Sequence, residues 1–373
     1  MTMPRVWLRH AAIRDFRNLE SVDLDFPEAG LAVIGENGQG KTNLLEAIYY
    51  LQVLRSVRGS RDQDAVRFGV RGFHIALEID TDGRHELGVG FDTAGKRKRV
   101  TRDGIMFSRM SDAFGALPSV MFSPRDIQLI AGSPGERRRY LDLVLALTSR
   151  RYLNALQHYR AALLQRNASL RHAARQSSRE EAVIAWEPAL AQSGAIIACE
   201  RAMWVASHSE EFARICVAIG EEGEPRMWYH SSLAQEGDAQ ELLAAALERE
   251  RDHDIRRGMT HAGPHRDDLQ LTLGGKELRA FGSAGQQRTA AIGLRILEAA
   301  TLRAACGLEP MLLLDDPFAE LDVRRSARIL ELLANTGLGQ TILAVPRDAD
   351  IPPELVRLER AHIQSGNILR GAA

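Results

Sequence analysis

Lysine is nearly missing from this chain. Of its 48 basic residues only Lys41, Lys96, Lys98 and Lys276 are lysines, and the rest are arginines. Against that bias, a lysine at position 41 marks a place where a compact ammonium fits and a planar guanidinium does not. Cysteine is also scarce. Cys199, Cys216 and Cys306 are odd in number and scattered, which excludes a CxxC metal site and suits a reducing, cytoplasmic compartment. No apolar run is read as long enough to cross a bilayer, and the charged stretch Met1 to Asp15 is not a signal peptide, so no membrane partner is expected. Net charge is −1, so bulk electrostatics do not announce a polyanion binder. No internal repeat or low-complexity tract is evident. What remains is a 373-residue chain, 45% hydrophobic and 26% charged, the composition of a soluble globular protein with room for two lobes.

Three motifs stand out against this background. Gly35-Glu36-Asn37-Gly38-Gln39-Gly40-Lys41-Thr42 reads G-x-x-x-x-G-K-T. Such a loop needs glycines so that backbone N–H groups turn inward around phosphates. It needs a lysine for the β/γ-phosphates and a hydroxyl for Mg²⁺. Leu31 to Ile34 supplies the strand before it, and Leu44, Leu45, Ile48 and Leu51 the helical spacing after it. The second motif is Leu312-Leu313-Leu314-Asp315-Asp316, a buried strand ending in two carboxylates, with Glu320-Leu321-Asp322 beyond. Asp315 is placed to hold Mg²⁺ and Asp316 to orient or deprotonate an attacking water. The third is Phe281-Gly282-Ser283-Ala284-Gly285-Gln286-Gln287-Arg288, a turn opening the apolar-periodic stretch Ala290 to Ala305. By itself, Ser283 reads as a helix N-cap. Lys41 and Asp315 are 274 residues apart, so a large insertion divides one expected ATP site.

Together the three motifs resemble the ABC-type ATPase family. That resemblance implies an α/β fold: a P-loop ATPase head with a mixed sheet plus a helical lobe. It also implies a homodimer in which Ser283, Gly285 and Gln286 of one subunit close on ATP held by the other. Within the family the chain is most similar to the RecF branch, related to the SMC and Rad50 ATPases. The similarity rests on Ile13-Arg14-Asp15-Phe16-Arg17-Asn18, on Phe122 to Asp126, on Gly132 to Asp142, and on Gly263-Pro264-His265-Arg266-Asp267-Asp268-Leu269. It implies weak DNA-stimulated ATP hydrolysis, single- and double-stranded DNA as sequence-independent partners, RecO and RecR as protein partners, and a role in gap repair and the SOS response. Arg125, Pro317 and Ala344 depart from the pattern. Gln52, Gln63 and Gln128 are the candidates for a glutamine loop. A transporter subunit is the alternative of another class, disfavoured by the missing histidine switch; a non-hydrolysing ATP-gated clamp is another.

Charge is unevenly distributed. Ten arginines against Glu136 and Asp142 lie between Gly135 and Arg179, and Lys96-Arg97-Lys98-Arg99 forms a second cluster. The expected phosphate-backbone contacts are Arg137, Arg138, Arg139, Arg150, Arg151, Lys96, Arg97 and Lys98. A solvated face is the alternative. His261, His265 and Asp267 invite a metal reading, but Pro264 denies the histidines a shared helix face, and a structural or phosphate-adjacent loop is expected.

The alternation at Phe73 to Asp80 and Glu86 to Phe91, around Thr81-Asp82-Gly83, predicts an antiparallel pair. From Arg137 to about Ile219 the period is helical, with polar residues near Gln176-Ser177-Ser178 and with Pro188 at an end or a kink. Leu269, Leu271 and Leu273, followed by Gly274-Gly275, predict a hairpin. The expected core lobe is 1–122 with 305–373. The expected second lobe is 123–304, with a helical arm over about 124–220 and the signature turn at 281–287. The arm is too short for a long coiled coil.

Overall fold

Apolar runs that lack alternation become the middle of a parallel sheet, and alternating runs become an antiparallel one. The computed structural model describes residues 3–174, 180–232, 237–318, 321, 323–335 and 339–370. Among them the strands are β1 (Trp7–Phe16), β2 (Leu19–Asp25), β3 (Gly30–Ile34), β4 (Gly72–Asp80), β5 (Arg84–Asp92), β6 (Arg97–Arg102), β7 (Ile105–Met106), β8 (Ser119–Phe122), β9 (Pro225–His230), β10 (Asp268–Leu273), β11 (Lys276–Glu277), β12 (Met311–Asp315), β13 (Thr341–Val345), β14 (Glu359–Gln364) and β15 (Asn367–Arg370).

The central sheet has the order β15-β14-β3-β13-β12-β8. It is mixed: β3 pairs in parallel with β13 and β14, β12 with β13 and β8, and only β14 and β15 are antiparallel. Every residue of β3, β12 and β13 is buried. Parallel strands covered on both faces must be apolar throughout, which is why these segments read as continuous runs. The phosphate loop follows β3 and the paired carboxylates end β12, so both lie at carboxyl ends of strands, where open α/β sheets hold ligands. A second sheet, β2-β1-β4-β5-β6-β7, is antiparallel, and the 73–91 expectation appears in it as β4 and β5. Phe16, Tyr50 and Phe73 meet edge to face beneath it, with centroids 5.1–6.0 Å apart.

The chain divides into two compact units. The first comprises Met1–Asp126, Ala218–Gly220 and Leu294–Ala373; the second comprises Ile127–Val217 and Glu221–Gly293. Both borders differ from the expected 122/123 and 304/305. The later one falls inside the helix Ala284–Cys306, because a helix can leave one core and enter another without a break in sequence. In the second unit, helices Pro134–Thr148, Arg150–Ala173 and Glu187–Ile219 accompany the small sheet β11-β10-β9. Pro188 falls in the first turn of Glu187–Ile219, where its missing N–H costs nothing, so it marks the N-terminal end of the helix and not a kink. At 33 residues that helix is about 50 Å long. Gln176, Ser177 and Ser178 lie outside the described residues.

One expectation needs correction. The helical stretch Glu180–Ile219 is long and apolar enough to cross a membrane by length and composition, contrary to the reading that no such run exists. Half of that window is buried. Leu190, Ile197, Val205, Phe212 and Ile215 are among the unit's core residues, and the core of a soluble protein demands apolar residues as a bilayer does.

Candidate nucleotide site

The loop between β3 and helix Lys41–Val53 takes its shape from glycine. Gly38 and Gly40 have φ of +83° and +119°, conformations that L side chains rarely adopt. A side chain at Gly35 would come within 2.5 Å of the Ile363 carbonyl oxygen, and one at Gly40 within 2.9 Å of Asn18 Oδ1. Glu36, Asn37 and Gly38 are exposed at the rim. The helix starts at Lys41 with no side-chain cap and no acidic residue in its first turn, so its N-terminal amides remain available for an anion. Lys41 is 93% buried, and its Nζ donates to the carbonyl oxygens of Gly35 and Glu36.

The 274-residue separation closes in space. Thr42 Oγ1 donates to Asp315 Oδ2 at 2.9 Å and lies 3.0 Å from Oδ1. Burial raises the pKa of Asp315, and the neighbouring Asp316 charge adds to this; Thr42, Lys41 and Arg58 oppose it. Burial lowers the pKa of Lys41, with Asp315 and Asp316 opposing. A hydroxyl and a desolvated carboxylate side by side are hard oxygen donors short of positive charge. They fit Mg²⁺, which binds through one or two such groups plus phosphate and water. Asp316 sits at φ +45°, a left-handed conformation unusual for a non-glycine, and its N–H donates to the Ala344 carbonyl oxygen at 2.9 Å. Ala344 thus contributes through its backbone; the side chain is wholly buried. Glu320 and Asp322 lie outside the described residues.

Sequence reasoning missed the carboxylate under the helix. Glu46 is fully buried, paired with Arg17 at 2.9 Å and with Arg58 at 3.1 Å. Arg58 also donates to Asn43, whose amide donates to Asn18 Oδ1 at 2.7 Å. The only signal was an acidic residue set among Leu44, Leu45, Ala47 and Ile48. Of the glutamine candidates, Gln52 is wholly buried and donates to the Ser119 carbonyl, while Gln63 and Gln128 are exposed.

The signature turn belongs to the second unit. The Ser283 N–H donates to Gln286 Oε1 at 2.9 Å, and the Gln286 N–H to Ser283 Oγ at 3.3 Å. This reciprocal pair is a capping box, with Gln286 standing where glutamate often does. Ser283 is exposed, Gly285 is half-buried, and Phe281 beside them is 72% exposed.

The eight cations expected to meet DNA separate into two kinds. Arg137 is removed from that set: it is buried, grips both oxygens of Asp268 at 2.7–2.8 Å and donates to the Ile130 and Gly132 carbonyls. Lys98 is removed as well. Its ammonium lies 2.8 Å from Asp62, donates to the Leu54 carbonyl and sits over the Tyr50 ring. Arg138 is half-buried and donates to the Asp267 carbonyl. Arg139, Arg150, Arg151, Lys96 and Arg97 are exposed.

The structural reading of the histidine loop is supported. His265 Nε2 donates to the Thr260 carbonyl at 3.0 Å, so Nδ1 accepts from the Tyr159 hydroxyl at 2.6 Å. Burial lowers its pKa to about 4. Asp267 accepts from Tyr229 and from the Ser232 amide. His253, Asp254 and His261 gather nearby, but Asp254 is already engaged by buried Arg166 at 2.6 Å and by the His261 amide at 3.0 Å.

Fold and site together define a P-loop ATPase head of the kind that SMC proteins carry. The Smc head domain from Pyrococcus furiosus superimposes with a TM-score of 0.56 at 15% identity, covering 97% of this chain and 95% of that one, a likeness of fold alone. No family model matches the sequence. Full-length relatives are more specific. The DNA replication and repair protein RecF of Roseiflexus castenholzii is 33% identical over 97% of this chain and 99% of its own length. That of Myxococcus xanthus is 35% identical over 87% of each. A solved structure described as the recombination mediator protein RecF with ATP, in the RecFOR pathway, has a TM-score of 0.90 at 27% identity, covering 100% of this chain and 99% of that one. This chain belongs to the RecF family.

Proposed function

We propose that the chain is an ATP-dependent DNA-binding recombination mediator that acts in gap repair and fork maintenance in the cytoplasm. One observation carries the reading: half-buried Thr42 is hydrogen-bonded to buried Asp315 beside buried Lys41, at the carboxyl ends of β3 and β12. The loop 35–42 binds the triphosphate of ATP, with backbone amides around the phosphates and Lys41 on the β/γ-phosphates. Thr42 and Asp315 hold Mg²⁺, which supplies charge neutralisation for the transferred phosphoryl group. Asp316, set by its bond to Ala344, orients the attacking water and draws its proton. Hydrolysis is slow and DNA-stimulated. Ser283, Gly285 and Gln286 meet the ATP of a second copy, so that ATP lies between subunits of a homodimer. The relatives' placement in the RecFOR pathway supports RecO and RecR as partners and assistance to RecA loading during the SOS response. Exposed Arg139, Arg150, Arg151, Lys96 and Arg97, with half-buried Arg138, contact single- or double-stranded DNA backbones without reading sequence.

Sedimentation with and without ATP and DNA tests this reading. Wild type should dimerise with ATP, by mass action on a shared ligand. Ser283→Arg should bind ATP normally yet stay monomeric, with very slow turnover. A Ser283→Arg protein that still dimerises would reduce the signature turn to a helix cap.

A further inference from the structure

We infer that the β14–β15 hairpin is a positioning device for the ATP site, clamping the phosphate loop at Gln39. The inference rests on the nucleotide reading above and adds residues far from its motifs. β14 and β15 are joined by a two-residue turn, Ser365-Gly366, with φ of +49° and +82°. Both turn amides point at one loop residue. The Ser365 N–H donates to Gln39 Oε1 at 2.6 Å and the Gly366 N–H to the Gln39 carbonyl oxygen at 2.8 Å. That carbonyl also receives Asn18 Nδ2 at 3.2 Å, from the turn between β1 and β2.

The fit leaves no slack. A side chain at Gly366 would come within 2.2 Å of the Asn18 carbonyl oxygen, and Ile363 at the end of β14 already limits Gly35 and Gly40. Gln39 therefore spends its side chain on the hairpin and presents only backbone toward a phosphate. Its peptide leads directly into Gly40 and the first helical amides. A loop whose amides are fixed in advance loses less freedom when it closes on an anion. Coupling of this kind is reciprocal: if the hairpin stiffens the loop, bound nucleotide must stiffen the hairpin.

The test measures ATP affinity in Mg²⁺ together with amide exchange at Ser365 and Gly366. ATP should slow exchange of both amides in wild type. Gly366→Val, which drives the turn off Asn18, should bind ATP about tenfold more weakly and lose that protection. Gln39→Ala introduces no clash and removes one hydrogen bond, so it should weaken ATP about threefold and decides the matter if Gly366→Val does not fold. Wild-type affinity in Gln39→Ala, or unchanged exchange at the turn when ATP is added to wild type, overturns the clamp. A wild-type protein that does not bind ATP overturns the nucleotide reading instead, and the clamp with it.

Discussion

The nucleotide site of the first unit and the helical core of the second treat buried charge in opposite ways. In the second, Arg166 and Arg201 leave water only with partners around them. Arg166 is wholly buried and meets Asp254, Glu187 and Thr260 at 2.6–2.9 Å. Arg201 meets Asp142, Tyr152 and the Pro264 carbonyl at 2.7–3.0 Å. In the first, Lys41 finds only loop carbonyls, and Asp315 has a hydroxyl where a cation would serve it better. The pKa directions follow: burial depresses Lys41 and raises Asp315, whereas the arginines around Asp142 hold its carboxyl below the usual range despite burial. A fully compensated buried charge is architecture. A pair held short of compensation keeps capacity for a ligand.

Breaking the compensated side should give the largest effect. Arg166→Ala leaves fully buried Asp254 without its arginine, while Glu187 keeps Arg251 at 2.8 Å, at a cost of about 3–5 kcal/mol. Urea unfolding should show a large loss of stability in the second unit. A loss below about 1 kcal/mol would mean that the network is not a keystone.

Acid attacks the same unit through His265. Its folded pKa of about 4 lies below the ordinary 6.5, so the unfolded chain binds more protons between those values. Stability present above pH 6.5 should therefore fall as pH drops toward 4, by up to about 3 kcal/mol. His265→Gln should flatten that slope in denaturation midpoints measured across the window.

Lys41→Ala sharpens the contrast from the other side. It should weaken ATP binding by about 1.5–3 kcal/mol, at least tenfold, in an equilibrium titration. Folding stability should hardly change, because the ammonium it removes was desolvated and poorly paired. Unchanged affinity would take the loop out of the site.

The smallest effect belongs to the surface. Arg139, Arg150 and Arg151, all changed to Glu, should leave unfolding midpoints unaltered, lower DNA affinity evenly across sequences and flatten its salt dependence. An unaltered slope of affinity against salt would return them to the solvated face.

Adjacent residues show what the sequence could and could not disclose. The phosphate loop was legible because the spacing of its glycines, lysine and threonine is dictated by the phosphates, whatever surrounds them. Strands β3 and β12 were legible because burial on both faces forces an apolar run. Arg137, Arg138 and Arg139 read alike as a basic patch, yet helical phase sends the first inward and the third outward. The carboxylate that claims Arg137 lies 131 residues away at Asp268, beyond local pattern. Glu46 was hidden in the same way, its partners Arg17 and Arg58 coming from two other segments. The border inside Ala284–Cys306 left no trace because nothing in the periodicity changes there.

The position of β3 also sets a timetable for synthesis. It is among the first strands to leave the ribosome, yet both its neighbours, β13 and β14, are encoded more than 300 residues later. Until they arrive, Leu31, Ala32, Val33 and Ile34 form an unpaired apolar edge, the kind of surface that recruits chaperones or other nascent chains. The nucleotide site therefore cannot mature before the last quarter of the chain is made. A ribosome stalled before Thr341 would hold a protein with its phosphate loop complete in sequence and its central strand still bare.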